Sequence, residues 1–315
     1  MAGVVAFGGP FAVRPVRGAA EERPMTPDLN ATRLRLALPK GRMQGEVMRL
    51  MADAGLTVRI GAREYRPSVA SGQFDAKILK PQNIIEMLAA GSRDVGFAGA
   101  DWVAESGARL VELLDTGLDP VRLVVAAPDE LLEDGRLPRR PLVIASEYPR
   151  LTSEWIKCAG VRATLVRSYG ATEVFPPDDA DLIVDNTATG STLEANGLSV
   201  VDTILTSSTR VYASPAALED RSRRPAIEGF ALLLGSVLEA RRRVMLEVNV
   251  GSDALEAVCA ALPCMREPTI AQLHGDGGYA VKVAVPRELL PGIIPRVKAL
   301  GGCDIVITSL EQIVP

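Results

Sequence analysis

The sequence predicts an α/β protein with largely parallel sheets, followed by a smaller unit with the order β-α-β-β-α-β. Short apolar strands alternate with amphipathic helices up to Arg243, which is the pattern of βαβ units. After Arg243 the order changes to strand, helix, two strands, helix and strand, the split ferredoxin-like arrangement. Apolar residues make up 47% of the 315 residues and charged residues 23%, as in an ordinary globular protein with a sizeable core.

The first strand is predicted at Leu34–Leu38, where apolar residues alternate with polar ones until Pro39. A turn containing Gly41 follows, and a helix then runs until Gly55 because apolar residues recur at helical spacing. The same alternation predicts strands at Asp75–Leu79, Asp94–Ala98, Leu123–Ala127, Leu142–Ser146, Ala163–Arg167, Asp181–Asp185 and Ser199–Leu205. Helices are predicted at Pro81–Ala90, Leu151–Ala159, Thr192–Asn196 and Pro225–Arg243.

The unit after Arg243 has its own strand and helix signals. The glycine-rich segment Gly275–Gly278 predicts a hairpin turn between its two middle strands. Its predicted strands are Val244–Val250, Thr269–His274, Tyr279–Val285 and Cys303–Ser309, and its predicted helices are Asp253–Leu262 and Leu290–Leu300.

Residues 1–31 are predicted to be a disordered leader, because they are rich in proline and lack an apolar period. Met25 is a candidate start codon. The apolar stretch Ala2–Val13 raises the alternative of an export signal, but it has no basic region before it, so secretion is disfavoured. The predicted location is the cytoplasm, and no apolar run reaches the roughly 18–20 residues that span a bilayer.

Composition excludes several classes of function. The one histidine, His274, rules out multi-histidine zinc sites, and it leaves a histidine-based triad only if His274 is the base. His274 is interpreted as an exposed strand-end residue rather than a regulatory-site contact. A net charge of −4 and 4% aromatic residues argue against nucleic-acid binding. The four cysteines form no CxxC pair and are interpreted as reduced thiols.

The segment from Asp181 to Leu193 carries the clearest chemical signal. A buried strand ends at the carboxylate of Asp185, and a loop of small residues leads into a helix. Gly190 lets backbone N–H groups approach a phosphate, and a carboxylate at a strand end suits sugar hydroxyls. Hydroxyl donors are supplied by Thr187, Thr189, Ser191 and Thr192. The loop is therefore interpreted as a sugar-phosphate site, with simple helix capping as the alternative.

Cations stand at the ends of other predicted strands. Lys40, Gly41 and Arg42 follow the first strand, Lys77 and Lys80 lie in and after the next, and Asp101 follows a glycine-lined turn. Lysine and arginine at such positions suit polyphosphates, although each one alone is more often a solvated surface charge.

From Leu34 to Val314 the chain resembles the long, self-regulated form of ATP phosphoribosyltransferase, the first enzyme of histidine biosynthesis. The most specific match is Glu173 followed by Asp181–Leu198, whose sequence is DLIVDNTATGSTLEANGL. Supporting matches are LPKGR (38–42), DVGFAGAD (94–101) and REPTI (266–270). The chain departs from the family where Lys80-Pro-Gln-Asn83 replaces an arginine-containing segment, and where Asp179 replaces a glycine.

The resemblance implies transfer of phosphoribosyl from phosphoribosyl pyrophosphate to N1 of ATP, with release of pyrophosphate and with Mg²⁺ present. It implies a two-lobed catalytic part like a type II periplasmic binding protein, a ferredoxin-like regulatory domain that binds histidine as inhibitor, and a hexamer, with a dimer as a possible active form. The implied division is lobe I at 32–115 plus 206–240, lobe II at 116–205 and the regulatory domain at 241–315.

The resemblance also implies roles for residues. Asp185, Glu173 and Lys40 are the expected catalytic residues, and Glu173 is a possible Mg²⁺ contact, the ion being held mainly by substrate oxygens. Phosphoribosyl pyrophosphate is expected at Asp185 and at Thr187, Ala188, Thr189, Gly190, Ser191 and Thr192. ATP and pyrophosphate are expected at Lys40, Gly41, Arg42, Lys80 and Asp101. The alternatives are another phosphoribosyltransferase, a catalytically silent regulatory homologue and a two-lobed solute-binding protein.

Overall fold

The computed structural model describes residues 33–61, 65–275 and 277–314. The predicted leader at 1–31 and Met25 lie outside the described residues. Up to Arg242 the strands are β1 Leu34–Pro39, β2 Val58–Arg59, β3 Ser68–Val69, β4 Phe74–Leu79, β5 Val95–Gly99, β6 Val111–Pro128, β7 Leu142–Ser146, β8 Ala163–Arg167, β9 Leu182–Thr187 and β10 Leu198–Ala213. The helices are α1 Gln44–Asp53, α2 Pro81–Ala89, α3 Ala100–Ser106, α4 Pro149–Ala159, α5 Ser191–Ala195, α6 Pro215–Glu219 and α7 Arg224–Arg242.

Eight of these strands form one sheet in the order β4-β1-β5-β10-β6-β9-β7-β8. The strands at each end of the sheet are parallel to one another, as the sequence predicted. The expectation of a largely parallel sheet is wrong in the middle, because β10 runs antiparallel to β5 and β6, and β6 runs antiparallel to β9. The two parallel groups are therefore joined through antiparallel strands.

The long strands β6 and β10 join the two parallel groups. Each is far longer than predicted, with 18 and 16 residues, because their pairing continues through several register shifts. One end of the ribbon pairs Val111 with Ala213 beside β5, and the other pairs Pro128 with Leu198 beside β9. A bulged antiparallel ribbon bends and twists more than a regular one. Strands β6 and β10 therefore connect the β1 group and the β9 group into one sheet.

Helices pack on both groups of strands and bury apolar residues against them. On the β1 group, Phe230 of α7 makes edge-to-face contacts with Phe74 and Phe97 at 5.7 and 6.1 Å between ring centroids. On the β9 group, the fully buried Tyr148 packs with Leu182 and other strand residues. These two cores fix the strand ends from which the loops of the candidate site arise.

A buried ion pair lies at the opposite, amino-terminal end of the first strands. Asp94 is fully buried, and its Oδ1 accepts hydrogen bonds from Arg35 Nη2 and Arg223 Nη1, both at 2.6 Å. Its Oδ2 accepts the backbone N–H of Arg35 at 2.8 Å. Burial acts to raise the pKa of Asp94, but the hydrogen bonds from the two arginines outweigh burial and lower the pKa. Asp94 thereby joins β1, β5 and the start of α7.

The C-terminal unit comprises β11 Arg243–Val250, α8 Leu255–Ala261, β12 Thr269–Gln272, β13 Tyr279–Pro286, α9 Leu290–Ala299 and β14 Cys303–Ser309. Its sheet has the order β12-β13-β11-β14, with every pair antiparallel. This is the predicted ferredoxin-like arrangement, and it has a separate apolar core. Strand β12 ends at Gln272 rather than at His274, because the hairpin turn begins there and is closed by a bond of 2.9 Å from the Leu273 N–H to Gly278 O; His274 is exposed in that turn.

The C-terminal tail makes a connection that the sequence did not predict. Helix α7 leads directly into β11, and the tail after β14 then returns to that helix. The Ile313 N–H bonds Ser236 O of α7 at 3.0 Å, and Gln312 Nε2 lies 3.4 Å from Asp53 O at the end of α1. Arg241 pairs with the carboxylate of Asp53 at 2.7 Å. The C-terminal unit is thus attached to the rest of the chain at two places.

Within the described residues, no helix combines the length and apolar character that crossing a bilayer requires.

Candidate active site

The loop between β9 and α5 forms one wall of a cavity of about 270 Å³. Strand β9 is buried up to Val184, and the chain then opens into small polar residues before α5 begins at Ser191. The lining brings together seven residues that the sequence analysis singled out, five of them from this segment. These seven are Arg42, Glu173, Asp185, Thr187, Ala188, Thr189 and Thr192, and they are joined by Asn186 and Leu193.

Gly190 determines the shape of this loop. Its φ is +90°, a left-handed conformation that glycine adopts without a steric penalty. Its N–H donates to Thr187 Oγ1 at 3.0 Å, and the hydroxyls of Thr189 and Ser191 lie 2.9 Å apart. These bonds hold Ala188 and Thr189 as an exposed turn over the cavity. Such a turn of small residues lets a phosphate come close to backbone N–H groups.

Asp185 lies near the end of β9 and lines the cavity, in an environment that disfavours a negative charge. Burial raises its pKa to about 6, and the nearby carboxylates of Glu147 and Glu173 add to the increase. The N–H of Asn186, 2.7 Å from Asp185 Oδ1, partly opposes this effect. A carboxylate held in this way gains from a ligand that donates hydrogen bonds or brings positive charge. The sequence analysis identified Asp185 and Glu173 but missed Glu147, which follows the buried end of β7.

The segment after β1 provides the cationic side of the site. Gly41 has φ of +89° and turns the chain so that Arg42 reaches the cavity. Lys40 lies beside Tyr65, with Nζ 2.9 Å from the phenol oxygen and 4.8 Å from the ring centroid. The two residues line a second, smaller cavity of about 230 Å³. Lys80 is exposed where α2 begins. Of these predicted residues, Arg42 is the one that lines the larger cavity together with Asp185.

Asp101 is buried rather than open to the cavity, with 4% exposure. Its Oδ2 accepts the Tyr148 O–H at 2.7 Å, and its Oδ1 accepts the Ser207 O–H at 2.7 Å. Burial and the carboxylate of Asp101 raise the pKa of Tyr148 well above its usual range. Tyr148 in turn accepts a hydrogen bond from Asn186 Nδ2 at 3.0 Å. Asn186 directly follows Asp185, so adjacency to the motif was the signal that could have found it.

The described residues contain no group of three or more histidine, cysteine, aspartate or glutamate side chains arranged to hold a metal ion. The carboxylates of Glu173 and Glu147 are each close enough to Asp185 to interact with it electrostatically. This donor set suits a hard cation that brings most of its own oxygen ligands with it.

The C-terminal unit contains a separate cavity of about 360 Å³. It combines charged and apolar side chains, and the tail residues Ile313 and Val314 form part of its wall. The remaining lining residues are Met245, Met265, Arg266, Glu267, Thr269, Lys282, Val283 and Ala284.

The chain is similar to proteins of one family over most of its length. A family model described as ATP phosphoribosyltransferase matches residues 80–234, and one described as HisG, C-terminal domain, matches residues 240–312. An ATP phosphoribosyltransferase from Chlorobium phaeobacteroides is 35% identical over 286 residues, which cover 89% of this chain and 97% of that protein. One from Pelotomaculum thermopropionicum is 36% identical over 288 residues, with coverages of 90% and 100%. A solved ATP phosphoribosyl transferase (HisG:HisZ) complex from Thermotoga maritima is similar in structure, with a TM-score of 0.58, 26% identity, and coverage of 65% of this chain and 98% of that one.

Proposed function

The chain belongs to the ATP phosphoribosyltransferase family, the enzymes of the first step of histidine biosynthesis, and we propose that the cavity around Asp185 is where it transfers the phosphoribosyl group. The observation that carries this proposal is the single cavity lined by the strand-end carboxylate Asp185, the turn Ala188–Thr189 and the cation Arg42. Those are the three kinds of group that a phosphorylated, pyrophosphorylated ribose requires.

Phosphoribosyl pyrophosphate is proposed to bind with its 5′-phosphate against the turn from Ala188 to Thr192. Backbone N–H groups and the hydroxyls of Thr189 and Thr192 would donate to the phosphate. Asp185 would accept hydrogen bonds from the ribose hydroxyls, which would favour the ionised form of a carboxylate whose pKa is raised by burial and by the carboxylates of Glu147 and Glu173. Arg42 would bind the pyrophosphate oxygens, and Lys40 and Lys80 would bind phosphate oxygens of ATP or of pyrophosphate.

The reaction needs no obligatory general base, because N1 of adenine attacks C1 of ribose with a lone pair and carries no proton. The barrier lies in the charge that develops on pyrophosphate as the C1–O bond breaks. Arg42 and Lys40 would stabilise that charge, and Asp185 would hold the ribose in place. A lack of histidine around the cavity is compatible with this chemistry.

The residues fit a Mg²⁺ ion that is carried mainly by substrate oxygens. Glu173 lines the cavity together with Asp185 and offers hard oxygen donors, and magnesium commonly uses few protein ligands. When bound, the ion neutralises charge on the leaving pyrophosphate. Glu173 is the residue proposed to contact it.

Regulation and assembly are proposed from the C-terminal unit. Free histidine carries a carboxylate, an ammonium and an imidazole, and the cavity near Arg266, Glu267 and Lys282 offers charged partners for the first two. We propose that histidine binds this unit and inhibits the transfer reaction at the distant Asp185 cavity. We also propose that the protein is a homohexamer and that it works in the cytoplasm. The proposed division into lobe I (32–115 plus 206–240), lobe II (116–205) and a regulatory domain (241–315) is the one that the family resemblance implies, and the separate apolar core of the C-terminal unit supports its last boundary.

The proposed reaction is tested by mixing the pure chain with ATP, phosphoribosyl pyrophosphate and Mg²⁺ and recording the ultraviolet absorbance of the N1 adduct. Absorbance should rise only when all three components are present. If other purine bases accept phosphoribosyl and ATP does not, the chain is a different phosphoribosyltransferase.

A further inference from the structure

A continuous set of hydrogen bonds connects Asp185 to a buried carboxylate outside the cavity. Asn186 donates its backbone N–H to Asp185 Oδ1 at 2.7 Å, and its side-chain Nδ2 donates to the Tyr148 oxygen at 3.0 Å. Tyr148 donates to Asp101 Oδ2 at 2.7 Å, and Ser207 donates to Asp101 Oδ1 at 2.7 Å. We refer to these five residues as the Asp185–Ser207 network. Tyr148 is fully buried, and Asp101 is 4% exposed.

Asp101 accepts hydroxyl hydrogen bonds from both Tyr148 and Ser207, and this sets the direction of the side-chain bonds in the network. A carboxylate only accepts, so the single hydroxyl proton of Tyr148 must point to Asp101. The Tyr148 oxygen is then left as an acceptor, and it requires the NH₂ end of the Asn186 amide. With the amide held this way, Nδ2 also lies 3.5 Å from Asp185 Oδ1. Asp185 therefore faces amide hydrogens, and the repelling Asn186 carbonyl is kept away.

The network also joins the two groups of strands. Asp101 lies on α3 after β5, and Ser207 lies on β10, whereas Tyr148 and Asn186 belong to the β7 and β9 ends of the sheet. The ring of Tyr148 stacks on Trp102 with 4.5 Å between centroids. A packed, buried junction of this kind holds its members in one arrangement better than an exposed contact would.

The same junction contains a second set of bonds that hold α3 against α4. The carboxylate of Glu105, near the end of α3, accepts the backbone N–H groups of Arg150 and Leu151 at 2.9 Å each. Arg150 Nε returns a bond to the Glu105 carbonyl at 2.9 Å. The first turn of α4, which directly follows Tyr148, is thus capped by a side chain from the other group of strands. Tyr148 is therefore held by its hydroxyl, which bonds Asp101, and by the helix turn directly after it, which bonds Glu105.

We propose that Tyr148 and Asn186 are positioning residues for Asp185, so that the carboxylate is oriented for the ribose hydroxyls only when α3 and α4 are packed together. The inference rests on the proposed function of Asp185 as the ribose acceptor. Tyr148 acts through Asn186 and touches no substrate. In this arrangement, packing of the two groups of strands against each other also orients the Asp185 carboxylate for substrate binding.

The test is a double-mutant cycle on the full chain, measured as equilibrium binding of phosphoribosyl pyrophosphate with Mg²⁺. Tyr148→Phe removes only the hydroxyl and keeps the ring on Trp102. It should weaken binding by about tenfold, as expected for one hydrogen bond that orients a charged group. In the Asp185→Asn background the same change should matter by less than about twofold, because the charged acceptor that the network orients is gone. Tyr169→Phe, at an 83% exposed tyrosine, is the matched control and should leave binding unchanged.

Asn186→Ala provides a second cycle that does not depend on the buried tyrosine, since Asn186 is half-buried. It should show the same loss, and the same disappearance of that loss beside Asp185→Asn. An undiminished effect of Tyr148→Phe in the Asp185→Asn background would overturn the inference, as would unchanged binding by both Tyr148→Phe and Asn186→Ala. If Asp185→Asn alone binds normally, the proposed function of Asp185 fails and the inference fails with it; that outcome is read from the single variant and is distinct from the others.

Discussion

The N–H of Gly190 donates a 3.0 Å hydrogen bond to the hydroxyl oxygen of Thr187, and this bond closes the turn between β9 and α5. Thr187 is 7% exposed, so the acceptor is held by the core of the sheet. Gly190 reaches it because its φ is +90°, which side chains rarely adopt. Between the two residues, Ala188 and Thr189 are exposed over the cavity. The backbone conformation of this turn therefore depends on the Gly190–Thr187 hydrogen bond and on the positive φ of Gly190.

Replacing Gly190 by valine should remove at least about 99% of turnover, because a β-branched residue at this φ forces the turn to change and withdraws its N–H donors. Gly197→Val is the matched control. Gly197 also has a positive φ, of +67°, and has open space around its Cβ, but it lies after α5 and outside the cavity. Both variants should lose similar stability, and only Gly190→Val should lose activity. Equal turnover in the two variants would contradict the role of the turn.

The pKa of Asp185 predicts how stability without substrate depends on pH. Its folded value of about 6 lies above the usual value for aspartate, so folding disfavours the ionised form. Stability is therefore greatest below the ordinary aspartate pKa and is lost as pH rises through about 6. Asp185→Asn should stabilise the substrate-free protein by about 1–3 kcal/mol at pH 8 and by roughly half as much at pH 5, because part of the loss occurs between the two pKa values. Urea unfolding at both pH values measures the difference; a constant offset would refute the elevated pKa.

The buried carboxylate of Asp94 predicts a large loss of stability when it is removed. Asp94→Ala leaves Arg35 and Arg223 without their shared partner and should cost about 3–5 kcal/mol. Because the folded pKa of Asp94 is lowered, its contribution is present above the ordinary aspartate pKa and is lost as pH falls toward the lower folded value. Glu46→Ala, at an exposed pair with Arg49, should cost less than about 1 kcal/mol. Similar costs for the two variants in urea unfolding would contradict this account of Asp94.

The tail after β14 predicts how the proposed histidine inhibition reaches the cavity. A chain ending at Ser309 loses the Ile313–Ser236 and Gln312–Asp53 contacts but keeps all four strands of the C-terminal sheet. The truncation also removes Ile313 and Val314 from the wall of the proposed histidine cavity but leaves its charged residues, so histidine should bind no more than about tenfold more weakly. At saturating histidine the truncated chain should still be inhibited much less than the full chain, since coupling requires a contact that both units share. A chain ending at Arg243 should be insensitive to histidine. Full inhibition of a folded, active chain ending at Arg243 would mean that histidine binds the catalytic lobes.

The local parts of the fold and of the site could be predicted from the sequence. The buried run before Asp185, the small residues after it and Gly190 are consecutive, so their pattern alone indicated a strand end and a phosphate turn. The order of elements after Arg243 was likewise predictable, because each strand and helix there has its own apolar period.

The non-local parts could not be predicted. Strand β6 contains Gly117 and Pro120, which ordinarily argue against a strand. The structure accommodates them where the register shifts between the Ser207–Val121 and Thr209–Leu118 pairs. In the sequence Asp101 follows glycines in a pattern typical of a ligand-binding turn, but in the structure it lies in the first turn of α3. Its actual partner, Tyr148, is 47 positions away, and only tertiary packing brings the two together.

The most direct test of the central claim, that the cavity around Asp185 carries the transfer reaction, is the turnover of Asp185→Ala measured by N1-adduct absorbance. Asp179→Ala is the matched control, because Asp179 is an exposed aspartate in the turn that leads into the same strand. Asp185→Ala should remain folded and lose at least about 99% of turnover, as expected when a group that holds the reacting sugar is removed. Asp179→Ala should match the unaltered chain. A folded Asp185→Ala protein with near-normal turnover would show that the reaction takes place elsewhere.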